Sequence, residues 1–226
     1  MNIVGILPAA GRAERLNGLP KFLLPIPEGN LLALHCERML GAGASRVLIG
    51  TRWINSGLAS LYAPAGTETY LVSSKTMAET VLASRARVGD SRVLFGMPDT
   101  YWDSPAVYES LAGSSSDVTL AVWRIRPDQR GKLGQCDIDN RSRVCNVRDK
   151  DALCLYEWAW GAMVWNSEFW RFIKPDMPHI GYALQPAIDA GLNVTAVCCA
   201  GEYHDCGTFE SYARLCGTLT KEVANV

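Results

Sequence analysis

Gly11, Arg15 and Lys21 follow closely on an apolar run, Ile3 to Leu7, and their types and spacing describe an anion site. The run reads as a buried strand. The small-residue turn Ala9-Ala10-Gly11 lets backbone N–H groups approach a ligand, and the two cations add point charges aimed at the same place. Two carboxylates stand in comparable positions further on: Asp99, just after the apolar segment Arg92–Gly96, and Asp205, just ahead of the last predicted helix. A cradle of amides and cations beside two strand-end carboxylates is what magnesium-assisted phosphoryl or nucleotidyl transfer requires. The ion takes a few carboxylate oxygens plus phosphate oxygens, and it neutralises charge that builds on phosphorus. Each group also has a plain structural reading. The turn is then a connection, Asp99 a turn residue after Pro98, and Asp205 a helix cap.

The elements that must position these residues alternate. Strands are expected at Ile3–Leu7, Arg46–Gly50, Thr69–Ser73, Arg92–Gly96 and Val118–Trp123. Helices are expected over Leu31–Leu40 (capped by Asn30), Asn55–Tyr62, Met77–Val88 (Thr76 as cap) and Ser104–Leu111. This alternation predicts an α/β fold with a mostly parallel sheet covered on both faces. Ligands of open α/β sheets sit at the carboxyl ends of the strands, where all three polar groups fall. In the second half, Cys136–Asp139 and Arg143–Val147 read as a hairpin, Trp160–Trp165 and Asn193–Cys199 as strands, and Glu168–Ile173 and Tyr182–Ala190 as helices. A last helix starts near Thr208. No repeat or linker divides the chain, so residues 1–226 are expected to form one domain.

Composition narrows the function classes. The 226 residues are 48% hydrophobic and 20% charged, enough for a sizeable core. A net charge of -1 supplies no global basic field, so neither nucleic acid nor an anionic membrane is an expected partner. No apolar run approaches the roughly 20 residues that span a bilayer, and the first residues lack a signal-peptide pattern. Eight cysteines without a C-x-x-C pair, and three histidines without zinc-finger spacing, read as reduced thiols in a cytoplasmic protein. The G-x-G-x-x-G and G-x-x-x-x-G-K-[ST] spacings are absent, against a dinucleotide-binding protein or a P-loop ATPase. The seven tryptophans, four of them at 158, 160, 165 and 170, read first as core. The segment Gln129-Arg130-Gly131-Lys132 reads by default as a solvated loop, the alternative being that its cations reach an acceptor phosphate.

Leu7-Pro8-Ala9-Ala10-Gly11-Arg12-Ala13-Glu14-Arg15-Leu16, followed by Pro20-Lys21-Phe22-Leu23-Leu24-Pro25-Ile26, resembles the signature of sugar-1-phosphate nucleotidylyltransferases. That signature is broadly L-A-A-G-x-G-x-R-L, a short gap, then P-K-x-L-L-P-I. Further resemblances follow in order along nearly the whole chain. Gly96-Met97-Pro98-Asp99 matches a G-D metal segment and Arg148-Asp149-Lys150 an E-K-P segment. Trp160-Gly161-Ala162-Met163-Val164-Trp165 matches an S/T-G-x-Y-x-F strand, and Tyr203-His204-Asp205-Cys206-Gly207-Thr208 a W-x-D-x-G-T segment.

The resemblance implies a Rossmann-like, glycosyltransferase-A-like three-layer sandwich with a mixed, mainly parallel sheet and a sugar-side subdomain over about residues 124–200. It implies condensation of an NTP with a sugar-1-phosphate, or a related phospho-alcohol, to a nucleotide conjugate plus pyrophosphate. Ala9, Ala10 and Gly11 would hold the nucleotide. Arg15 would take the β- and γ-phosphates and Lys21 the α-phosphate. Asp99 and Asp205 would bind magnesium (Mg2+), with Asp103 in reserve. Asp149, Lys150 and Gly161 would meet the sugar phosphate.

Ala13 stands where the signature has a second glycine. Thr76, Met77 and Thr80 are candidate base contacts, or equally a helix cap and core. The rival reading is a catalytically silent nucleotide or sugar sensor on the same fold. A homo-oligomer is compatible with everything in the sequence.

Overall fold

The computed structural model describes residues 2–224. In chain order the elements are β1 (Ile3–Pro8), β2 (Pro25–Ile26), β3 (Gly29–Asn30), α1 (Leu31–Gly41), β4 (Val47–Thr51), α2 (Trp53–Tyr62) and β5 (Thr67–Leu71). Then come α3 (Met77–Leu82), α4 (Arg85–Val88), β6 (Arg92–Gly96), β7 (Thr100–Tyr101), α5 (Ala106–Ala112) and β8 (Val118–Arg124). The second half supplies β9 (Gly134–Ile138), β10 (Val144–Asp149), β11 (Trp158–Trp165), α6 (Leu184–Asp189), β12 (Val194–Cys198), β13 (His204–Asp205) and α7 (Phe209–Ala224).

The main sheet runs β10-β9-β11-β6-β1-β4-β5, with β8 on the other edge of β11 and β12 beyond it. Strands β6, β1, β4 and β5 are parallel. Strand β11 enters antiparallel to β6, β8 and β9 at once. The sheet is therefore mixed: a parallel half built by βαβ crossovers meets a half in which β11 runs antiparallel to its neighbours, β9 and β10 form a hairpin, and β12 adds parallel to β8. Alternation along β1 sends Val4 and Ile6 to one face and Leu7 to the other. The first face packs on Ala78 and Val81 of α3 and on Ala183 and Leu184 of the 180s segment. The second packs on Leu32, Cys36 and Met39 of α1 and Tyr108 and Leu111 of α5. Three layers result.

Several expected helices come out differently. The stretch Met77–Val88 is two helices, broken at Ala83–Ser84, where the Ser84 hydroxyl donates back to the Val81 carbonyl. Glu168–Ile173 is a 3-10 segment, Ser167–Phe172. Tyr182–Ala190 begins as a 3-10 turn (Ile180–Ala183) before α6, because Pro186 has no N–H to give to the carbonyl of residue 182. By contrast, Asn30 caps α1 by accepting from the Ala33 N–H at 2.9 Å, as its position predicts.

One small element matters beyond its size. Strand β7 pairs antiparallel with β13, Thr100 opposite Asp205, and the Cys206 N–H donates to the Asp99 carbonyl at 2.8 Å. This ribbon ties the two carboxylates together. It is anchored from below by buried His35, whose Nε2 lies 2.9 Å from the Thr100 carbonyl and whose Nδ1 lies 2.8 Å from the Tyr108 hydroxyl. A carbonyl only accepts, so Nε2 carries the proton and Nδ1 accepts from Tyr108. Burial pushes the His35 pKa down to about 4. An unfolded histidine takes its proton near pH 6.5, so the native state binds fewer protons between these values. Stability is then fully present above about pH 6.5 and lost as pH falls toward 4, by up to roughly 3 kcal/mol from this group. Urea midpoints measured at pH 7.5 and pH 5 should differ in that direction; equal midpoints contradict a neutral buried His35.

Candidate active site

The turn after β1 opens on a cavity of about 660 Å³. The Ala9 N–H is donated to the Gly50 carbonyl at 2.7 Å, which pins the start of the turn against β4. Ala10, Gly11 and Arg12 follow along the cavity wall, and no atom stands within 4 Å of where a Gly11 side chain would begin. Ala13 has φ 53° and ψ 33°, a left-handed conformation that turns the chain so that Arg15 also lines the cavity. A glycine fits such a position without strain, which gives the signature's glycine a physical reason. Here Ala13 carries a left-handed cost of roughly 1–2 kcal/mol. Its methyl, however, is buried beside Leu16 and Leu24, contributing about 0.8 kcal/mol. Alanine also restricts the unfolded chain more than glycine does, by roughly 0.5–1 kcal/mol. The terms nearly cancel, so Ala13→Gly is expected to move the unfolding free energy by less than about 1 kcal/mol in urea titration.

Pro20 sets the start of a short 3-10 turn, Lys21–Leu23, that aims Lys21 inward. Its Nζ lies 3.0 Å from Asp99 Oδ2. Asp205 Oδ1 accepts the Gly207 N–H at 2.9 Å. A β-carbon placed on Gly207 would stand 2.9 Å from Asp205 Oδ1, 3.0 Å from Arg15 Nη2 and 3.4 Å from Lys21 Nζ. Arg15, Lys21 and Asp205 thus converge over a residue that has no room for a side chain. Burial raises the Asp205 pKa, and the Asp99 charge raises it further, while Lys21, the Gly207 N–H and Arg15 pull the other way. Two carboxylates, one desolvated and repelled by the other, are hard oxygen donors of the kind magnesium accepts. The described residues contain no cluster of three or more such ligands, so phosphate and water would complete the shell. Asp103 is exposed beside Gly201 and lines neither cavity.

Thr76, Met77 and Thr80 all line the large cavity. Thr76 also caps α3: its hydroxyl accepts the Glu79 N–H at 3.0 Å and donates to the Pro175 carbonyl at 2.8 Å. Thr80 is buried, with its hydroxyl 2.6 Å from that of Ser74. The cap and core roles are therefore present in residues that also line the cavity. Ser74 and Lys75, which the motifs did not single out, line the same wall.

A second cavity of about 190 Å³ adjoins the first, and Arg15, Lys21, Met77 and Asp99 line both. Its far side holds Asp149, Lys150, Lys132, Trp160 and His179. Lys150 sits at φ 54°, again left-handed, a strain of the kind that clusters at ligand sites. Asp149 is almost fully buried with His179 Nδ1 2.8 Å from Oδ2, yet neither carboxylate oxygen has an aligned hydrogen-bond donor. His179 Nε2 and Trp160 Nε1 are likewise buried without partners. A β-carbon on Gly181 would come within 2.1 Å of Asp149 Oδ2. Sequence reasoning missed His179 and Gly181, since neither belongs to a motif.

Gly161 is not part of either cavity wall; it sits at a bulge in β11, where a side chain would strike Tyr203 at 2.2 Å. The 129–132 segment is not a freely solvated loop. Gln129 donates to the Tyr203 carbonyl at 2.8 Å, Arg130 to the carbonyls of Cys154 and Tyr156, and Lys132 reaches the smaller cavity. Of the four clustered tryptophans, 165 and 170 are core, Trp158 carries Arg124 over its ring at 4.3 Å, and Trp160 lines the cavity.

No protein-family model matches the chain, and no curated protein sequence matches it. Solved structures do. A UDP-glucose pyrophosphorylase complexed with UDP-glucose superposes with a TM-score of 0.85 at 17% identity, over 98% of this chain and 100% of that one. An apo UDP-glucose pyrophosphorylase gives 0.80 at 18%, covering 98% and 99%. A Bacillus anthracis protein assigned as a glucose-1-phosphate thymidylyltransferase, in complex with a sucrose, gives 0.79 at 17%, covering 96% and 95%. The architecture of this chain, mixed sheet and flanking helices together, is the fold of the sugar-1-phosphate nucleotidylyltransferases.

Proposed function

We propose that the protein is a nucleotidyltransferase that joins an NTP to a sugar-1-phosphate, giving an NDP-sugar and pyrophosphate. The observation that carries this reading is the junction of the two cavities at Lys21 and Asp99. A nucleotide in the larger cavity and a phosphate ester in the smaller one would meet at that wall. The acceptor phosphate oxygen is already anionic, so it attacks the α-phosphorus without a general base, and the bond to the departing pyrophosphate breaks in line. What remains for the protein is positioning and charge stabilisation. Lys21 faces the α-phosphate, and Arg15 the β- and γ-phosphates that leave. Magnesium held by Asp99 and Asp205 would neutralise charge on the phosphate oxygens.

Lys150 and Lys132 flank the acceptor phosphate. Asp149, an acceptor-only group with both oxygens lacking aligned donors, favours an acceptor that brings hydroxyl groups. That supports a sugar phosphate over a phospho-alcohol without free hydroxyls.

The test is pyrophosphate release from each common NTP in the presence of magnesium and glucose 1-phosphate, beside a thermal-shift series with the same NTPs. Saturation at about 100-fold over Kd stabilises the native state by roughly 2.7 kcal/mol, which the shift resolves. Release from at least one NTP is expected. A shift without turnover across a wider panel of sugar phosphates selects the sensor reading, and no shift with any NTP removes the nucleotide site.

A further inference from the structure

Helix α2 contains no Asp, Glu, Lys or Arg, and of its ten residues only Ala59 is fully buried. A surface helix ordinarily turns its apolar stripe inward and its charges outward. This one turns Ile54, Leu58 and Leu61 outward at i, i+4 and i+7, with Trp53 79% and Leu61 73% exposed. Tyr62 extends the stripe. So does Leu71 of β5: Tyr70 points to the opposite face, toward Thr80, while Thr69 on the α2 side meets the Ser60 hydroxyl at 3.3 Å. Strand β5 ends the strand order, with β4 on one side and no partner among the described residues on the other. An apolar helix face and an open sheet edge lie side by side.

We propose that this face is the dimer interface of the protein, covered by the same face of a second copy. Three features choose a second copy over a different partner. The area is right: the six exposed apolar side chains present on the order of 600–800 Å², close to the ~800 Å² per partner of a standard interface, and far larger than scattered surface apolar residues. A two-fold interface must be complementary to itself, and charge is what usually forbids this. Helix α2 carries none, and Glu68 on β5 is already paired with Arg87 at 3.1 Å and faces Arg46 at 3.9 Å. Finally, an edge strand apposed to its own copy pairs antiparallel across a two-fold axis, which sets the two α2 helices against each other on one side of a continuous sheet. Gly57, with nothing within 4 Å of its would-be side chain, is a flat point at the middle of the helix where a facing helix approaches closely.

The experiment is sedimentation velocity on the full chain from about 1 to 100 μM, alongside the Leu61→Asp and Ile54→Asp variants. Both side chains are exposed in the monomer, so the variants should keep the wild-type circular dichroism spectrum. The proposal expects a wild-type species of twice the chain mass within that range. It expects each variant to weaken dimerisation at least ~100-fold, as loss of a central apolar contact does. Three results overturn it: a wild type that stays monomeric at ~100 μM, variants that dimerise as tightly as wild type, or a monomeric wild type that co-sediments with phosphatidylcholine vesicles, which would make the occupant a lipid surface.

Discussion

Lys21→Met is expected to lower kcat for pyrophosphate release about 10²–10³-fold, the cost of removing one preorganised group that stabilises charge in the transition state. The geometry explains why the effect should fall on kcat. Lys21 Nζ stands at the wall common to both cavities, 3.0 Å from Asp99 Oδ2. Without it, Asp99 and Asp205 face each other with only Arg15 nearby, and the Asp205 pKa rises further because one of the groups holding it down is gone. Lys21→Arg should recover little: a planar guanidinium cannot replace a compact ammonium that approaches as a point charge. Steady-state kinetics on the two variants, with NTP affinity followed by thermal shift, make the comparison. A kcat within about threefold of wild type for Lys21→Met would remove Lys21 from the chemistry.

Gly181→Ala should be nearly as damaging, through the other substrate. A β-carbon there would lie 2.1 Å from Asp149 Oδ2 and 2.6 Å from the Trp160 ring, distances that no packing tolerates. Either Asp149 swings away or the 180–183 turn moves, and both displace the wall of the smaller cavity, where the proposed acceptor would sit. Misplacement by about 1 Å is worth roughly 10²-fold in rate, and overpacking costs about 1–3 kcal/mol of stability. The expected signature is a fall in kcat/KM for glucose 1-phosphate with NTP binding unchanged. Loss of NTP binding to the same extent would show a general collapse instead, and unchanged acceptor kinetics would mean that Asp149 does not touch the acceptor.

The elements most visible in the sequence were those whose local chemistry agrees with their surroundings. Asn30, Thr76 and the apolar runs of β1, β4 and β6 are legible because capping and burial act locally. The positions of Lys21, Asp99 and Asp205 were legible from motif order, but their contact was not. It depends on the β7–β13 ribbon, which joins residues far apart in the chain, and on His35, whose role no spacing announces. His179 and Gly181 lie in an irregular segment, where periodicity says nothing and only the placement of Asp149 gives them meaning. Gly161 was legible as part of a pattern, yet its neighbours show a packing reason for glycine beside Tyr203. The outward apolar face of α2 could not be read because an apolar helix and a buried helix have the same composition.

Strand β11 joins β6, β8 and β9, although it begins about sixty residues after β6 ends in the chain. During synthesis β6 can pair with β1 as soon as both have emerged, but its other edge stays open until β11 arrives. At about 5–20 residues per second that interval is roughly 3–12 s. The exposed edge is Val93-Leu94-Phe95, an apolar template for pairing with any nascent chain nearby. The protein's hazard on the ribosome is therefore built into the strand that completes its sheet. A slow codon run between β6 and β11 would raise the aggregated fraction more than the same run placed after β11.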